Sequence, residues 1–131
     1  MSTQSRTQAQ RRAIDALDKT LAIVHEQATW AAAYRSYVER LPAAIVMNGL
    51  GQALATELAA TRDTESSGDA VAHQRLFDNI ADWLGSQIEV YTQDNLLHDV
   101  MANSEHHYLH AQAEALAWLE WHKKFCRAHL D

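Results

Sequence analysis

Histidine is the residue type best suited to chemistry in this chain, which carries eight of them in 131 residues. His106, His110 and Glu114 follow one another at four-residue intervals, so on a helix two imidazoles and a carboxylate fall near one face. That spacing suits a shared divalent metal. No second segment offers a matching set, such as the Glu-x-x-His pairs of carboxylate-bridged bundles, and the competing reading is a solvated face near a helix start. His107, His122 and His129 read as facing solvent or a partner surface.

Nucleophilic chemistry has a single candidate. Cys126, the lone cysteine, has His122 one turn before it and His129 three residues after it, and charged imidazoles there would lower its pKa. Nothing supplies an orienting third group or an oxyanion site, so Cys126 reads as a reduced packing residue. Among the carboxylates, Asp78 and Asp82 lie four apart and Glu57 stands alone, the pattern of solvated helix faces. The run NGLGQA neither follows a strand nor contains the lysine of a P-loop. No catalytic residue, metal ligand or cofactor is assigned, and an enzyme is not expected.

The elements that must position these residues are helical. Alanine and leucine dominate, β-branched residues are sparse, and four glycines and one proline leave few turns. A composition 47% hydrophobic with four tryptophans is that of a packed core rather than a disordered chain. The expectation is an all-α fold, a single helical bundle of about five to six helices over residues 1–131, with a loose N-terminus at 1–4 and an internal loop at 61–69. No run approaches the roughly 18 apolar residues of a membrane span, and the polar start has no hydrophobic signal core, so a soluble, cytoplasmic protein with no membrane partner is expected.

Taken in order, Ile14, Leu17, Leu21, Val24 and Ala28 recur three or four apart and predict a long amphipathic helix from about Ser5. It continues, or breaks near His25 to Thr29, before a second helical segment with Trp30, Tyr34, Tyr37, Val38 and Leu41. Pro42 lacks a backbone donor and crowds its predecessor, so a helix should kink, end or begin there. From about Ala43, Met47, Leu50, Leu54 and Leu58 mark one apolar face, interrupted by Gly49 and Gly51. Two glycines in one turn cost a helix roughly 1 kcal/mol each against alanine, which close helix packing or close approach of a ligand or partner would offset. Beyond the loop, Asp69 is a plausible N-cap for a helix with Leu76, Phe77, Ile80, Trp83 and Leu84, and Gly85 suits the position past its end. Gln87 to Tyr91 reads as helix or connector. Thr92 can cap a short helix with Leu96, Leu97, Val100 and Met101, and Asn103 and Ser104 mark a break. The last helix, about Glu105 to Ala128, has a broad apolar face, with Tyr108, Ala115, Leu119 and Cys126 in one strip and Trp118, Trp121 and Phe125 in another. These aromatics read first as core and second as an interface.

The formal charge of −6 weighs against a free-standing nucleic-acid binder, though one basic face on an acidic body stays possible. Lys123, Lys124 and Arg127 cluster at the end of the last helix, and Arg11, Arg12 and Lys19 on the first. Cations in a last turn complement the helix dipole for about 0.3–1 kcal/mol, and the same cations could contact phosphates.

The run Leu41, Pro42, Ile45, Asn48, Gly49, Leu50, Gly51, Gln52, Ala53, Leu54 resembles the signature of the small helical subunit of the type III-B CRISPR effector, the Cmr complex. The block from Tyr108 through Phe125, with AEALAWLEWHKKF, resembles the end of that family. The resemblance implies a non-catalytic subunit that stacks with copies of itself beside guide-holding backbone subunits and contacts the guide RNA–target RNA duplex through its phosphates. It implies RNA-facing roles for Lys123, Lys124, Arg127, Arg40, Asn48 and Gln52, and a structural role for Leu41, Pro42, Gly49 and Gly51. Adjoining subunits would then supply much of the phosphate neutralisation that an acidic chain cannot. The alternative is a small helical protein-interaction adaptor without nucleic acid.

Overall fold

The computed structural model describes residues 5–62 and 67–131. The terminus at 1–4 and residues 63–66 of the expected loop lie outside them. Among the described residues the fold is all-α, with helices α1 (Gln8–Glu26), α2 (Ala31–Asn48), α3 (Leu50–Ala60), α4 (Ser67–Gln87), α5 (Leu96–Ala102) and α6 (Glu105–His129). α1 lies along α6, α2 bridges α6 and α4, α3 packs on α4 and α2, and α5 closes one end against α3 and α6.

Thr7 and Gln10 form a reciprocal capping box, so α1 starts at Gln8 rather than near Ser5. Gln27, with φ of 53°, ends it in the left-handed region and settles the break near His25 to Thr29. The face of α1 differs from the expected one. Its buried residues are Ala16, Thr20 and Ile23, while Ile14 and Val24 are 43% and 39% exposed. This strip packs on α6, where the Ala16 carbonyl and the Thr20 hydroxyl meet His122.

Pro42 does not redirect the chain. It sits inside α2, which continues for six residues beyond it. Its missing donor forfeits one intrahelical bond, and Leu41 and Ile45, fully packed on either side, outweigh that loss. The break falls at Gly49, whose φ of 88° and ψ of 158° belong to a region that side-chain-bearing residues avoid. The helix that follows is therefore out of register with α2. Leu50 and Leu54 are buried, but Met47 and Leu58 are not on their face and are 81% and 36% exposed.

Gly49 faces α6, and Gly51 faces α5 and α6, of the same chain. A Cβ on Gly49 would lie 2.9 Å from the Tyr108 hydroxyl, and one on Gly51 would lie 2.8 Å from the Met101 methyl. The freed amides at the start of α3 are capped from α6: Leu50 N–H donates to Gln112 Oε1 at 2.9 Å and Gly51 N–H to Tyr108 Oη at 2.9 Å. Close packing thus accounts for this pair of glycines. Gly49→Ala should lower stability by about 1–3 kcal/mol, the cost of a forbidden backbone region. Gly51→Ala should cost less, because a flexible methionine can move aside. Denaturant midpoints at unchanged m-value would show the ranking, and equal midpoints would mean that the turn relaxes freely.

Three further sequence expectations shift. Asp69 lies in the first turn of α4 rather than ahead of it, where its charge still suits the helix dipole. Gly85 lies within α4, not past its end, and the returning chain passes close over it: a Cβ there would be 3.2 Å from the Gln93 amide. Residues 88–91 form a turn, as a connector should. Thr92 accepts from Asn95 N–H at 3.3 Å and also binds Asp99, so it supports the start of α5 without being its N-cap residue. Ser104 caps α6.

The core contains two polar clusters. His122, expected at the surface, is fully buried. Its Nδ1 lies 3.0 Å from the Ala16 carbonyl, which can only accept, so Nδ1 carries the proton and Nε2 accepts from the Tyr34 hydroxyl at 2.7 Å. Asn79 donates to that hydroxyl at 2.8 Å, and Trp118 stacks on the imidazole with centroids 4.3 Å apart. Burial pushes the His122 pKa down to about 3, against a smaller upward pull from the Ala16 carbonyl. A neutral imidazole cannot activate Cys126, and burial pushes that thiol up to about 12. Cys126 is the inert packing residue its context suggested.

Glu114 is the second cluster. At 3% exposure it receives both arms of the Arg12 guanidinium, at 2.6 and 2.9 Å, and the Trp83 indole N–H at 3.0 Å. This joins α1, α4 and α6. A four-residue step overshoots a helical turn, so Glu114 is rotated by about 80° from His106, enough to turn it inward. His106 and His110 remain exposed. Among the described residues no group of His, Cys, Asp or Glu is placed to hold a metal ion.

Candidate nucleic-acid interface

The six residues expected to face RNA fall into two sets. Lys123, Lys124 and Arg127 lie near the C-terminal end of α6 beside acids: Glu120 is 3.0 Å from Lys123 and 3.9 Å from Lys124, and Glu39 of α2 is 3.1 Å from Arg127. Each such exposed pair is weak, but two carboxylates among three cations lower the potential that a phosphate would meet. The first-helix cations do not form a patch. Arg12 turns inward to Glu114, Lys19 lies between Asp15 and Asp82 at 2.6 and 2.7 Å, and Arg11 binds Gln8 and the Arg6 carbonyl.

Arg40, Asn48 and Gln52 make the other set. Arg40, Ala44 and Asn48 recur every four residues and share a face of α2. On α3, Gln52 and Thr56 do the same, and the Thr56 hydroxyl donates to the Gln52 carbonyl at 2.9 Å. A cavity of about 330 Å³ joins the two faces, lined by Tyr37, Arg40, Leu41, Ala44, Thr56, Glu57 and His73. Arg40 is exposed and makes no ion pair with any described residue; its guanidinium lies 5.0 Å from the centre of the Tyr37 ring. His73 stacks on the same ring, with centroids 3.7 Å apart and planes 12° from parallel. Its Nδ1 is 2.8 Å from Glu57 Oε1. The Tyr37 hydroxyl is held above its ordinary range by burial and by a hydrogen bond with Asp69.

Tyr37, Thr56, Glu57 and His73 were not among the expected site residues. Only Tyr37, three positions before Arg40 on one helix, left a trace in the sequence, as a cation–π spacing. The other three come from α3 and α4, and the pairing of Glu57 with His73 has no local signature. The motif residues meanwhile divide by role: Leu41 is buried, Gly49 and Gly51 make the turn, and Pro42 borders a second, apolar groove of about 490 Å³ between α2 and α6. Ala43, Val46, Met47, Leu116, Ala117 and Glu120 complete its lining, with Val46 70% and Met47 81% exposed. Of the last-helix aromatics, Trp118 is core, and Trp121 is 37% exposed.

A family model described as CRISPR-associated protein (Cas_Cmr5) matches residues 8–129, from the start of α1 to the end of α6. The chain belongs to the Cmr5 family. The crystal structure of a CRISPR-associated Cmr5 family protein from Thermus thermophilus matches with a TM-score of 0.72 and 28% sequence identity, covering 96% of this chain and 100% of that one. No curated protein matches. As a Cmr5-family chain the protein is a subunit of the type III-B Cmr complex, which it joins with other subunits. The buried, interlocked polar clusters are then read as scaffolding of a Cmr5 fold, and the α2–α3 edge and the α2–α6 groove as its outward-facing surfaces. No described helix is long and apolar enough to cross a membrane.

Proposed function

We propose that this Cmr5-family subunit is a non-catalytic brace that contacts the phosphate backbone of the guide RNA–target RNA duplex. It would do so mainly through the α2–α3 edge with Arg40, Asn48 and Gln52, with Lys123, Lys124 and Arg127 as a secondary patch. The observation that carries this reading is Arg40: an exposed guanidinium, free of carboxylate ion pairs among the described residues and steadied against Tyr37. Arginine so placed binds phosphate by charge and geometry, with no demand on base sequence. Sequence specificity would come from base pairing between guide and target. The exposed apolar groove at Val46 and Met47 is the kind of surface that packs on protein, and it serves contact with neighbouring subunits or further copies of the chain. The protein works in the cytoplasm on this reading.

The test is target retention by the reconstituted complex over a range of salt. Arg40→Ala should weaken retention and make the slope against log salt shallower by about 0.7–0.9 per copy that contacts the duplex. The triple change Lys123→Glu/Lys124→Glu/Arg127→Glu should have a smaller effect per charge. If the triple change dominates and Arg40→Ala is silent, the RNA face is the end of α6. If the complex retains target equally with and without this subunit, the adaptor reading replaces both.

A further inference from the structure

The cavity beside Arg40 contains an acid, which a site for phosphate alone would exclude. Glu57 is nevertheless fixed there: its side chain is 12% exposed, and Oε1 is tied to His73, itself held flat against Tyr37. Oε2 makes no hydrogen bond to a described residue. An ionised carboxylate only accepts, so its natural partner is a ligand that brings a donor together with an anion. The sugar–phosphate unit of RNA does so, because its 2′-hydroxyl can donate while the phosphate meets a cation.

We infer that the α2–α3–α4 cavity is a ribose-recognising subsite, in which Arg40 holds a phosphodiester and Glu57 accepts a hydrogen bond from the adjacent 2′-hydroxyl. This rests on the reading of the α2–α3 edge as RNA-facing. His73 and Tyr37 are positioning residues: His73 orients the carboxylate, and Tyr37 supports both the imidazole and the guanidinium. With a strand lacking the hydroxyl, the carboxylate would lose water without gaining a partner and would still repel the phosphate, so the acid converts a general phosphate contact into one selective for RNA. The cavity, about 330 Å³, is of a size with sites for small ligands rather than for a whole helix.

The test uses the assembled complex with guide and target strands of RNA, or with one strand at a time carrying 2′-fluoro in place of the 2′-hydroxyl. That change keeps an A-form sugar and removes the donor. In the wild type, substitution of the strand that contacts the subsite should weaken retention about tenfold, the low end for a hydrogen bond to a charged group. Glu57→Ala should bind the RNA and 2′-fluoro strands alike. Glu57→Gln, which keeps the shape and accepts only as a neutral group, should narrow the gap and serves if the alanine variant is poorly folded. Arg40→Ala should weaken both strands equally and leave their ratio unchanged. A wild-type ratio near one, or a ratio that survives both Glu57 changes, overturns the subsite while the Arg40 dependence keeps the phosphate reading. Loss of the Arg40 dependence as well overturns the RNA-facing edge itself.

Discussion

Lowering the pH from 6.5 toward 3 should reduce the unfolding free energy by about 1.4 kcal/mol per pH unit through His122 alone. The sign follows from the buried neutral ring. Its folded pKa is depressed to about 3 from an ordinary value of 6.5, chiefly by burial. Its contribution is therefore whole above 6.5. As pH falls below that value, the unfolded chain takes up a proton that the folded chain refuses, and stability drops until the folded ring titrates. Urea midpoints at pH 7 and at about pH 5, where most carboxylates are still ionised, isolate the effect. His122→Gln should be less stable at pH 7, because the Ala16 carbonyl and the Tyr34 hydroxyl lose well-matched partners, and it should lack this slope. A wild-type profile that stays flat over that interval, or a variant with the same slope, would show that the ring is reached by water.

Glu114→Ala should cost about 3–5 kcal/mol, the usual consequence of removing one partner of a buried pair. The loss exceeds one ion pair because Arg12, the Trp83 indole N–H and Gln8 all donate to this carboxylate. Replacing both charged partners, as in Arg12→Met/Glu114→Leu, should recover most of the loss, since hydrophobic substitution of a whole buried pair is often neutral. Burial pushes the Glu114 pKa up, but the Arg12 hydrogen bonds and charge, with help from Trp83 and Gln8, bring it net below the ordinary 4.5. That part of the stability is present above pH 4.5 and is lost as pH falls through the lower folded value. Glu114→Gln should therefore unfold at lower denaturant than wild type at neutral pH and converge on it in acid. Thermal unfolding of the single and double variants at neutral pH measures the coupling, and additive losses would mean that the pair contributes nothing as a pair.

The helical class, the number of helices and the bounds of α6 were legible because they depend on local features. Alanine and leucine content, the three-to-four spacing of Leu76, Phe77 and Ile80, and the break at Asn103 and Ser104 all act within a turn or two. Family membership was legible too, through the run around Asn48 to Leu54 and the block ending at Phe125. Where the reading failed, a distant segment had intervened. Pro42 stayed helical with Leu41 and Ile45 buried on either side of it, and Gly85 stayed helical where residues 92 and 93 return across it, a contact that leaves little room for a side chain. In α1 the strip against α6 holds Ala16, Thr20 and Ile23, with the Ala16 carbonyl and Thr20 hydroxyl meeting His122, while Ile14 and Val24 lie outside the core.

The candidate site divides along the same line. The resemblance was what selected Arg40, Asn48 and Gln52 as RNA-facing positions, and sequence position alone marked the three terminal cations of α6 as a basic cluster. Tertiary structure alone decided that Glu39 and Glu120 accompany those cations, that Arg40 makes no ion pair among the described residues, and that Glu57 and His73 arrive beside it from α3 and α4. It also took Glu114 and His122 out of solvent and made them core. The reason is the range of the forces involved. Propensity, capping and periodicity act over a few residues and can be read along the chain, whereas burial and charge pairing depend on which helix faces which.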